Sequence, residues 1–249
     1  MENPGAFFKD HSCLHAVIDA AVQGRAGRIV AGSSKSTCLR LDIGCYPIFG
    51  GDPDHEEARA LLKGVDPNQE MVYAGSRWKK RIQSIYVDAA DASMMTFLPG
   101  PHFLEIARHH LGELALGYEI QPLKQGCPLN DSLTPNGFQV YETKKGFFEN
   151  GFGFQVTHEG IMIALTTTYC LSRDKAEIAI ATDPHYRKQG LATSLASAMI
   201  LECARRGLVP NWSASNPVSQ RIARRIGLVD HEVCTVLKRP ASNPTEEKP

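Results

Sequence analysis

The stretch DPHYRKQGLATSLA, residues 183–196, constrains the fold more than any other part of the chain. The alternation of Ile178 and Ile180 with alanines just before it is typical of a strand. After it, residues 191–205 carry an apolar side chain at every fourth position, which predicts a helix with one buried face. That apolar stripe consists of Leu191, Leu195, Met199 and Cys203. A strand is therefore expected to pass into a helix through a basic turn.

The turn itself has the features of an anion-binding site. A helix N-terminus exposes about four unpaired N–H groups and carries about half a positive charge. Gly190 and Ala192 lack bulky side chains, so the backbone can approach an anion closely, and Arg187 and Lys188 add positive charge at the rim. The pattern R-x-x-G-x-A between a strand and a helix predicts a phosphate cradle. A tight turn with solvated basic residues is the alternative.

The run AEIAIATDPHYRKQGLATSLASAMILECARRGL resembles the acyl-CoA-binding motif of the GNAT superfamily of N-acetyltransferases, in which R/Q-x-x-G-x-G/A binds the CoA pyrophosphate. Downstream, PNWSASNPVSQRIARRIGL is similar to the family's later strand and helix, with an "lGf"-like ending at residues 226–228. The resemblance covers residues from about 150 to 238. More narrowly, P-x-W-x-x-x-N-x-x-S, GRIVAG, LRLDIGCYPIFGGD and GYEIQPL resemble a bacterial subgroup with a long N-terminal half that includes zwittermicin-A-resistance-like acetyltransferases.

The resemblance implies acetyl-CoA as co-substrate and assigns contacts to it. The main chain at the end of the central strand is expected to pair with the pantetheine amides as an added strand would. These residues are Ile180, Ala181 and Thr182. The pyrophosphate is expected at Arg187, Lys188, Gln189, Gly190, Leu191, Ala192 and Thr193. Asn216 and Ser219 match positions that reach the pantetheine arm, although Asn216 also fits a simple helix N-cap.

Glu177 is the candidate general base, because a strand glutamate near this point serves as the base in several acetyltransferases that the chain resembles. A carboxylate in an apolar strand is costly unless it is paired or has a raised pKa. An ion pair with Arg173 or Lys175, or exposure at a sheet edge, is the structural alternative. His158 and His185 are less suitable bases, since one lies in a hairpin turn and the other flanks the cradle.

The family's proton-donating tyrosine, four residues before the glycine of the "lGf" ending, is replaced here by Ala223. Tyr169, Tyr186 or a water molecule takes that role, or the thiolate leaves unprotonated. We name Tyr169 as the candidate.

Composition argues against other classes of function. The 27 Lys and Arg residues balance the 27 Asp and Glu residues, which gives no reason to expect nucleic acid or an anionic membrane as partner. No apolar run approaches the ~18 residues of a membrane helix, and the N-terminus lacks a signal peptide, so we expect a cytoplasmic protein. The seven scattered cysteines are interpreted as reduced thiols. Adjacent His109 and His110 point apart on a helix and suggest no metal site.

The predicted fold class is α/β (α+β), with a mixed, mostly antiparallel sheet flanked by helices. We predict an N-terminal α/β domain at residues 1–125, an acetyltransferase domain at residues 126–238 and a flexible tail at residues 239–249. The boundary rests on a stretch rich in Pro, Gly and Asn at residues 120–136. The N-terminal half is an acceptor-side domain or a diverged second GNAT-like copy, although it contains no second R-x-x-G-x-A.

The expected function is transfer of an acetyl group from acetyl-CoA to a primary amine of a small molecule, by direct attack on the thioester. A peptide or protein N-acetyltransferase is the alternative within the same class. A non-catalytic acyl-CoA-binding sensor is the alternative outside it, favoured by the missing tyrosine at Ala223. A homodimer is compatible with the sequence, and no motif identifies the amine.

Overall fold

The computed structural model describes residues 3–66, 68–112, 114, 117–127, 130, 132–133, 139–141 and 143–239. Eleven strands form one mixed sheet in the order β1-β2-β3-β4-β11-β5-β10-β9-β8-β7-β6. The strands are β1 (Arg28–Val30), β2 (Cys38–Ile43), β3 (Tyr46–Gly51), β4 (Glu70–Tyr73), β5 (Ala90–Pro99), β6 (Ile120–Pro122), β7 (Gly153–His158), β8 (Ile161–Leu171), β9 (Lys175–Thr182), β10 (Val209–Ala214) and β11 (Leu228–Lys238). The helices are α1 (His15–Val22), α2 (Ala58–Leu62), α3 (Gly75–Gln83), α4 (Phe103–Leu111), α5 (Lys144–Asn150), α6 (Leu191–Arg205) and α7 (Pro217–Arg225).

The strand and the helix predicted on either side of the basic turn are confirmed as β9 and α6. The apolar stripe of α6 is buried, from Leu191 through Cys203, because this helix packs on the sheet. The stretch LRLDIGCYPIFGGD contains two strands, β2 and β3, because Gly44 has φ +54° and allows the chain to reverse. After β3, the carboxylate of Asp52 pairs with Arg77 at 2.8 Å. Helix α5 was not predicted.

The pattern of strand pairing repeats along the chain. In the first half β1, β2 and β3 are antiparallel neighbours and β3 runs parallel to β4. In the second half β7, β8 and β9 are antiparallel neighbours and β9 runs parallel to β10. Each half then pairs with a strand of the other, β4 with β11 and β10 with β5, while β5 and β11 pair at the centre. A chain whose two halves are diverged copies of one unit, each with its last strand placed in the other half, would have this topology. That origin stays a prediction.

The two faces of the sheet are covered differently. On one face, helices α2 and α3 pack over the first half and α4, α6 and α7 over the second, each with its own apolar cluster. On the other face, a cluster around α1 takes side chains from strands far apart in the sheet, including Leu41 of β2 and Leu165 of β8. The sheet therefore curls around α1, and we call its inner side the α1 face.

Two cysteines correct the interpretation of all seven as reduced thiols. Cys13 and Cys234 form a disulfide whose Cα atoms are 5.9 Å apart, which joins the segment before α1 to β11. A scattered sequence pattern cannot reveal such a pair, because the partners lie 221 residues apart and meet only through the sheet order. No helix in the described ranges is long and apolar enough to cross a membrane.

The predicted domain boundary lies within a continuous sheet. Strand β5 lies before residue 125 in the chain, whereas its partners β10 and β11 lie after that residue. The division into 1–125 and 126–238 stays a prediction. Residues 240–249 of the predicted tail lie outside the described residues.

Candidate functional site

The turn between β9 and α6 has the backbone geometry of a cradle. Lys188 and Gly190 both have positive φ angles, +63° and +80°, which turns successive N–H groups toward one side. Gly190 occupies the N-cap position of α6, where no side chain caps the helix. A Cβ atom placed on Gly190 would meet nothing within 4 Å, so the space above it is open. Uncapped N–H groups facing open space suit an anion.

Side chains around this turn hold it in place. Asp183 caps the short 3₁₀ turn Pro184–Tyr186 by accepting a hydrogen bond from the N–H of His185 at 2.9 Å. Arg187 donates from its Nε to the carbonyl oxygen of Thr182 at 3.3 Å. Gln189 accepts a hydrogen bond from the hydroxyl of Tyr118 at 2.8 Å. The turn is thus fixed at both ends, as a preorganised binding loop requires.

Strands β9 and β10 separate next to the cradle. They pair in parallel only over residues 175–177 and 209–211. Farther along, β9 pairs with β8 up to Thr182, and β10 pairs with β5 up to Ala214. The edge of β9 from residue 178 to 182 therefore faces a cleft instead of a strand. The hydroxyl oxygen of Thr182 is buried and has no hydrogen-bond partner among the described residues.

Glu177 lies at the fork where the two strands part. It is the last residue of β9 that pairs with β10, opposite Asn211, and only 5% of it is exposed. Burial raises the pKa of its carboxyl group to about 7, while hydrogen bonds from Ser213 act in the opposite direction. Since Arg173 and Lys175 do not pair with it, the structure favours a titrating carboxyl group over the ion pair considered as an alternative.

Alternation along the strands shows which face Glu177 occupies. Ala176 and Ile178 pack against the cluster under α6, whereas Ala179 and Ala181 pack against the α1 cluster. Side chains two apart on a strand share a face, so Glu177 lies on the α1 face. Any molecule that reaches the base must therefore approach on the side opposite α6.

Asn216 and Ser219 are held together at the start of α7. The side-chain oxygen of Asn216 accepts from the backbone N–H of Ser219 at 2.8 Å, which confirms the helix N-cap. The hydroxyl of Ser219 in turn accepts from the indole N–H of Trp212 at 2.9 Å. The amide nitrogen of Asn216 is not used by the cap. A contact of Asn216 with pantetheine is compatible with this geometry and stays a prediction.

Tyr169 is buried on the α1 face, where its hydroxyl is committed to main-chain groups. It donates to the carbonyl oxygen of Ile43 at 3.0 Å and accepts from the N–H of Cys45 at 3.2 Å. Burial, foremost, raises its pKa well above the usual value. These contacts favour a structural role over the proton-donor role that the sequence suggests. Ala223, at the family's tyrosine position, lies on α7 and is fully buried.

The two candidate histidines have other partners or positions. The ring of His158 lies 3.1 Å from the hydroxyl of Tyr186, in a surface group with Tyr118. His185 lies in the 3₁₀ turn beside the cradle. Neither observation brings a histidine to the fork. Ser213, by contrast, contacts Glu177 and was missed, although the alternation of β10 could have identified it as a residue on the face of Glu177.

The matching place in the first half is closed by the chain itself. A Cβ atom on Gly50 of β3 would overlap the ring of Phe8, and His11 bonds the carbonyl oxygen of Phe49 at 2.9 Å. The turn after β3 carries Asp52 and Asp54 instead of basic residues, and both pair with Arg77. Because these carboxylates are paired with arginines, the turn has no net positive charge that would attract a phosphate. The turn after β3 thus lacks the open, basic cradle that follows β9.

An uncapped helix N-terminus beside two separating parallel strands is a geometry that suits an extended, phosphate-bearing ligand. A model of the GNAT acetyltransferase family matches residues 6–236, and the chain belongs to this family. The match spans both halves of the chain.

Curated relatives agree over part of the chain. The uncharacterized N-acetyltransferase YdfB of Bacillus subtilis is 35% identical over 91 residues, which are 36% of this chain and 35% of that protein. The match thus spans about a third of YdfB. The ribosomal protein bS18-alanine N-acetyltransferase of Escherichia coli is 32% identical over 118 residues, 46% of this chain and 74% of that enzyme.

Solved structures agree over most of the fold. A GCN5-related N-acetyltransferase-like protein from Streptococcus suis superposes with a TM-score of 0.77 at 20% identity, covering 88% of this chain and 90% of that one. A GCN5-related N-acetyltransferase from Kribbella flavida reaches 0.54 at 14% identity, with 93% and 98% covered. At these identities the likeness concerns the fold alone.

Proposed function

We propose that the protein transfers the acetyl group of acetyl-CoA to a primary amine, with Glu177 as the general base. The observation that carries this proposal is the position of Glu177, whose buried carboxyl group lies at the fork of β9 and β10 with its pKa raised to about 7. A general base works best when its pKa is near the operating pH. A carboxyl group kept only for structure would gain nothing from this costly burial.

The reaction balances with the residues at hand. The amine nitrogen attacks the thioester carbonyl carbon, a C–N bond forms, and the C–S bond breaks to release the CoA thiolate. Glu177 accepts the proton that the nitrogen loses and later passes it to solvent. No acyl-enzyme is required. The buried Cys170 is a poor nucleophile, because burial raises the pKa of its thiol well above the usual value.

Acetyl-CoA fits the cleft by three features. The pyrophosphate lies over Gly190 against the uncapped N-terminus of α6, with Lys188 at the rim. The pantetheine amides extend the sheet along residues 180–182 of β9. The buried hydroxyl of Thr182, unpartnered in the described ranges, gains a hydrogen-bond partner there.

The proton for the departing thiolate comes from water. Tyr169 already donates its proton to Ile43 and has a pKa well above the usual value, which makes it a weak acid. A thiol has an ordinary pKa of about 8.5, so a thiolate is a tolerable leaving group at neutral pH. Loss of the family's tyrosine at Ala223 is therefore compatible with turnover.

The acceptor is a small molecule held on the α1 face between the two halves. The narrower resemblance to zwittermicin-A-resistance-like acetyltransferases supports this choice, as does the inward position of Glu177. A protein N-terminal amine is the second candidate, favoured by the E. coli relative that acts on an alanine of ribosomal protein bS18.

The test is release of free thiol from acetyl-CoA with a panel of small amines and an N-terminal alanine peptide. Turnover that Glu177→Gln abolishes supports the proposal, whereas Glu149→Gln, an exposed glutamate on α5, leaves the rate unchanged. Saturable CoA binding with no turnover on any amine would instead identify a sensor. Full activity of Glu177→Gln would refute the assignment of the base.

A further inference from the structure

A second set of polar groups lies on the same face as Glu177, supplied by the first half of the chain. Tyr46 of β3 packs against the α1 cluster, beside Ile48, which belongs to it. On the neighbouring strand β4, Val72 belongs to that cluster, so Glu70, two residues earlier, shares its face. The curl of the sheet thus brings Tyr46 and Glu70 to the inner side that also carries Glu177.

Tyr46 lies within electrostatic reach of both carboxyl groups. Its pKa is raised well above the usual value, by burial first and then by Cys45, Glu70 and Glu177. The hydroxyl of Tyr46 reaches the sulfur of Met94 on β5. In the order of the sheet, β5 lies midway between β4, which carries Glu70, and β9, which carries Glu177. The centroid of the Tyr46 ring also lies 6.2 Å from that of the Tyr169 ring on β8.

The polar atoms of Tyr46 and Glu70 are poorly satisfied within the protein. The hydroxyl of Tyr46 donates to the thioether sulfur of Met94 at 3.5 Å and also contacts the thiol of Cys45, and both sulfur atoms are weak hydrogen-bond partners. One carboxylate oxygen of Glu70 pairs with Lys238, but the other is buried and has no hydrogen-bond partner among the described residues. Buried polar groups are nearly always bonded, so the free oxygen of Glu70, on the same face as Glu177, calls for an explanation.

We propose that Glu70 and Tyr46 form the far end of the acceptor pocket and bind a second cationic group of the acceptor. The inference rests on the proposed acetyl transfer at Glu177. The acceptor class is a diamine or a related polyamine: one amine reacts at Glu177, while the other, still protonated, is held by the free oxygen of Glu70. An ammonium group has three donors and no acceptor, which suits a carboxylate oxygen. Tyr46 positions the chain that joins the two amines.

The experiment compares matched amines on the intact chain. We expect kcat/KM for 1,4-diaminobutane and 1,5-diaminopentane to exceed that for butylamine and pentylamine by about tenfold to a hundredfold, the range of one charged hydrogen bond. Glu70→Gln should bring the two classes together by raising KM for the diamines, with little change for the monoamines. Equal use of both classes by the wild type, or an unchanged preference in Glu70→Gln, would overturn the proposal.

A second variant separates recognition from a structural ion pair. If Glu70 served only to hold Lys238, then Lys238→Met would reproduce the loss seen in Glu70→Gln. Under the proposal, Lys238→Met instead strengthens the preference for diamines, because it frees the second carboxylate oxygen. Glu149→Gln serves as the surface control.

The outcome is distinguishable from failure of the proposed function. Glu177→Gln abolishes turnover of monoamines and diamines alike, whereas Glu70→Gln changes only their ratio. If neither class of amine is acetylated, calorimetry tests the pocket instead, by measuring the binding of 1,5-diaminopentane in the presence of CoA. Binding that weakens in Glu70→Gln supports the pocket, and absence of binding overturns it.

Discussion

The hydroxyl of Tyr169 lies 3.0 Å from the carbonyl oxygen of Ile43, although the two residues are 126 positions apart in the chain. The same hydroxyl accepts from the N–H of Cys45, so one side chain of β8 fixes the turn between β2 and β3. This contact closes the curled sheet around α1 and brings Tyr46 to the face of Glu177. The two halves of the chain thereby form one inner surface.

The contact predicts that Tyr169→Phe lowers stability and leaves catalysis nearly intact. Removal of the hydroxyl leaves a buried carbonyl and a buried N–H without their partner, which costs about 1–3 kcal/mol. Denaturant unfolding measures this cost, and steady-state kinetics measures kcat. Tyr73→Phe is the matched control, since its buried hydroxyl has no partner in the described part of the chain. A large drop in kcat with unchanged stability would restore Tyr169 as the proton donor.

Glu177 predicts an unusual dependence of stability on pH. Its pKa rises from 4.5 to about 7 on folding, so the folded state binds more protons than the unfolded state between these values. The contribution of this group to the free energy of unfolding is fully present below pH 4.5. It falls by about 3 kcal/mol in total as the pH rises to about 7. Glu177→Gln should therefore be more stable than wild type at pH 8. Thermal unfolding that shows wild type equal or higher at pH 8 would contradict the burial of an ionisable group.

Gly190 and Gly207 allow a matched test of the cradle. Both have positive φ, +80° and +71°, and a Cβ on either meets nothing within 4 Å. They flank opposite ends of α6. Alanine at either position costs about 1 kcal/mol of backbone strain, so both variants lose similar stability. Only Gly190→Ala should weaken acetyl-CoA, by roughly tenfold, because its Cβ enters the anion site. Equal affinities in the two variants, measured by calorimetry, would argue against the cradle.

Asn216 has two proposed roles that substitutions can separate. Asn216→Asp keeps an N-cap acceptor for Ser219 but loses the amide donor, whereas Asn216→Ala loses both. Loss of the cap costs about 1 kcal/mol of stability. If the amide contacts pantetheine, both variants raise KM for acetyl-CoA while only the alanine variant is destabilised. A normal KM in Asn216→Asp would leave the cap as the sole role.

The sequence predicts the second half of the fold well, because its information is local. The alternation before Thr182, Gly190 at the turn and the apolar stripe of α6 each specify their own conformation. Pro217 after Asn216 likewise marks the start of α7. The cradle and the strand that carries Glu177 follow from these patterns without knowledge of distant contacts.

The inner surface could not be predicted, because it depends on contacts between distant segments. The pairing of β5 with β10 and β11 gives no local signal, nor does the disulfide between Cys13 and Cys234. The same holds for Tyr46, which reaches the neighbourhood of Glu177 only when the sheet curls. Residue type alone favours Tyr169 as a proton donor, whereas its hydrogen-bond partners are set by the fold.

The pH dependence of acetyl transfer to an amine tests the central claim most directly. With acetylated product detected by mass spectrometry, kcat/KM for wild type should rise with pH through a midpoint of about 7, since Glu177 accepts a proton only when ionised. Glu177→Gln should lack this rise of kcat/KM with pH and retain only a slow residual rate. A Glu177→Gln variant that keeps both the rise through pH 7 and the wild-type rate would contradict the assignment of Glu177 as the general base.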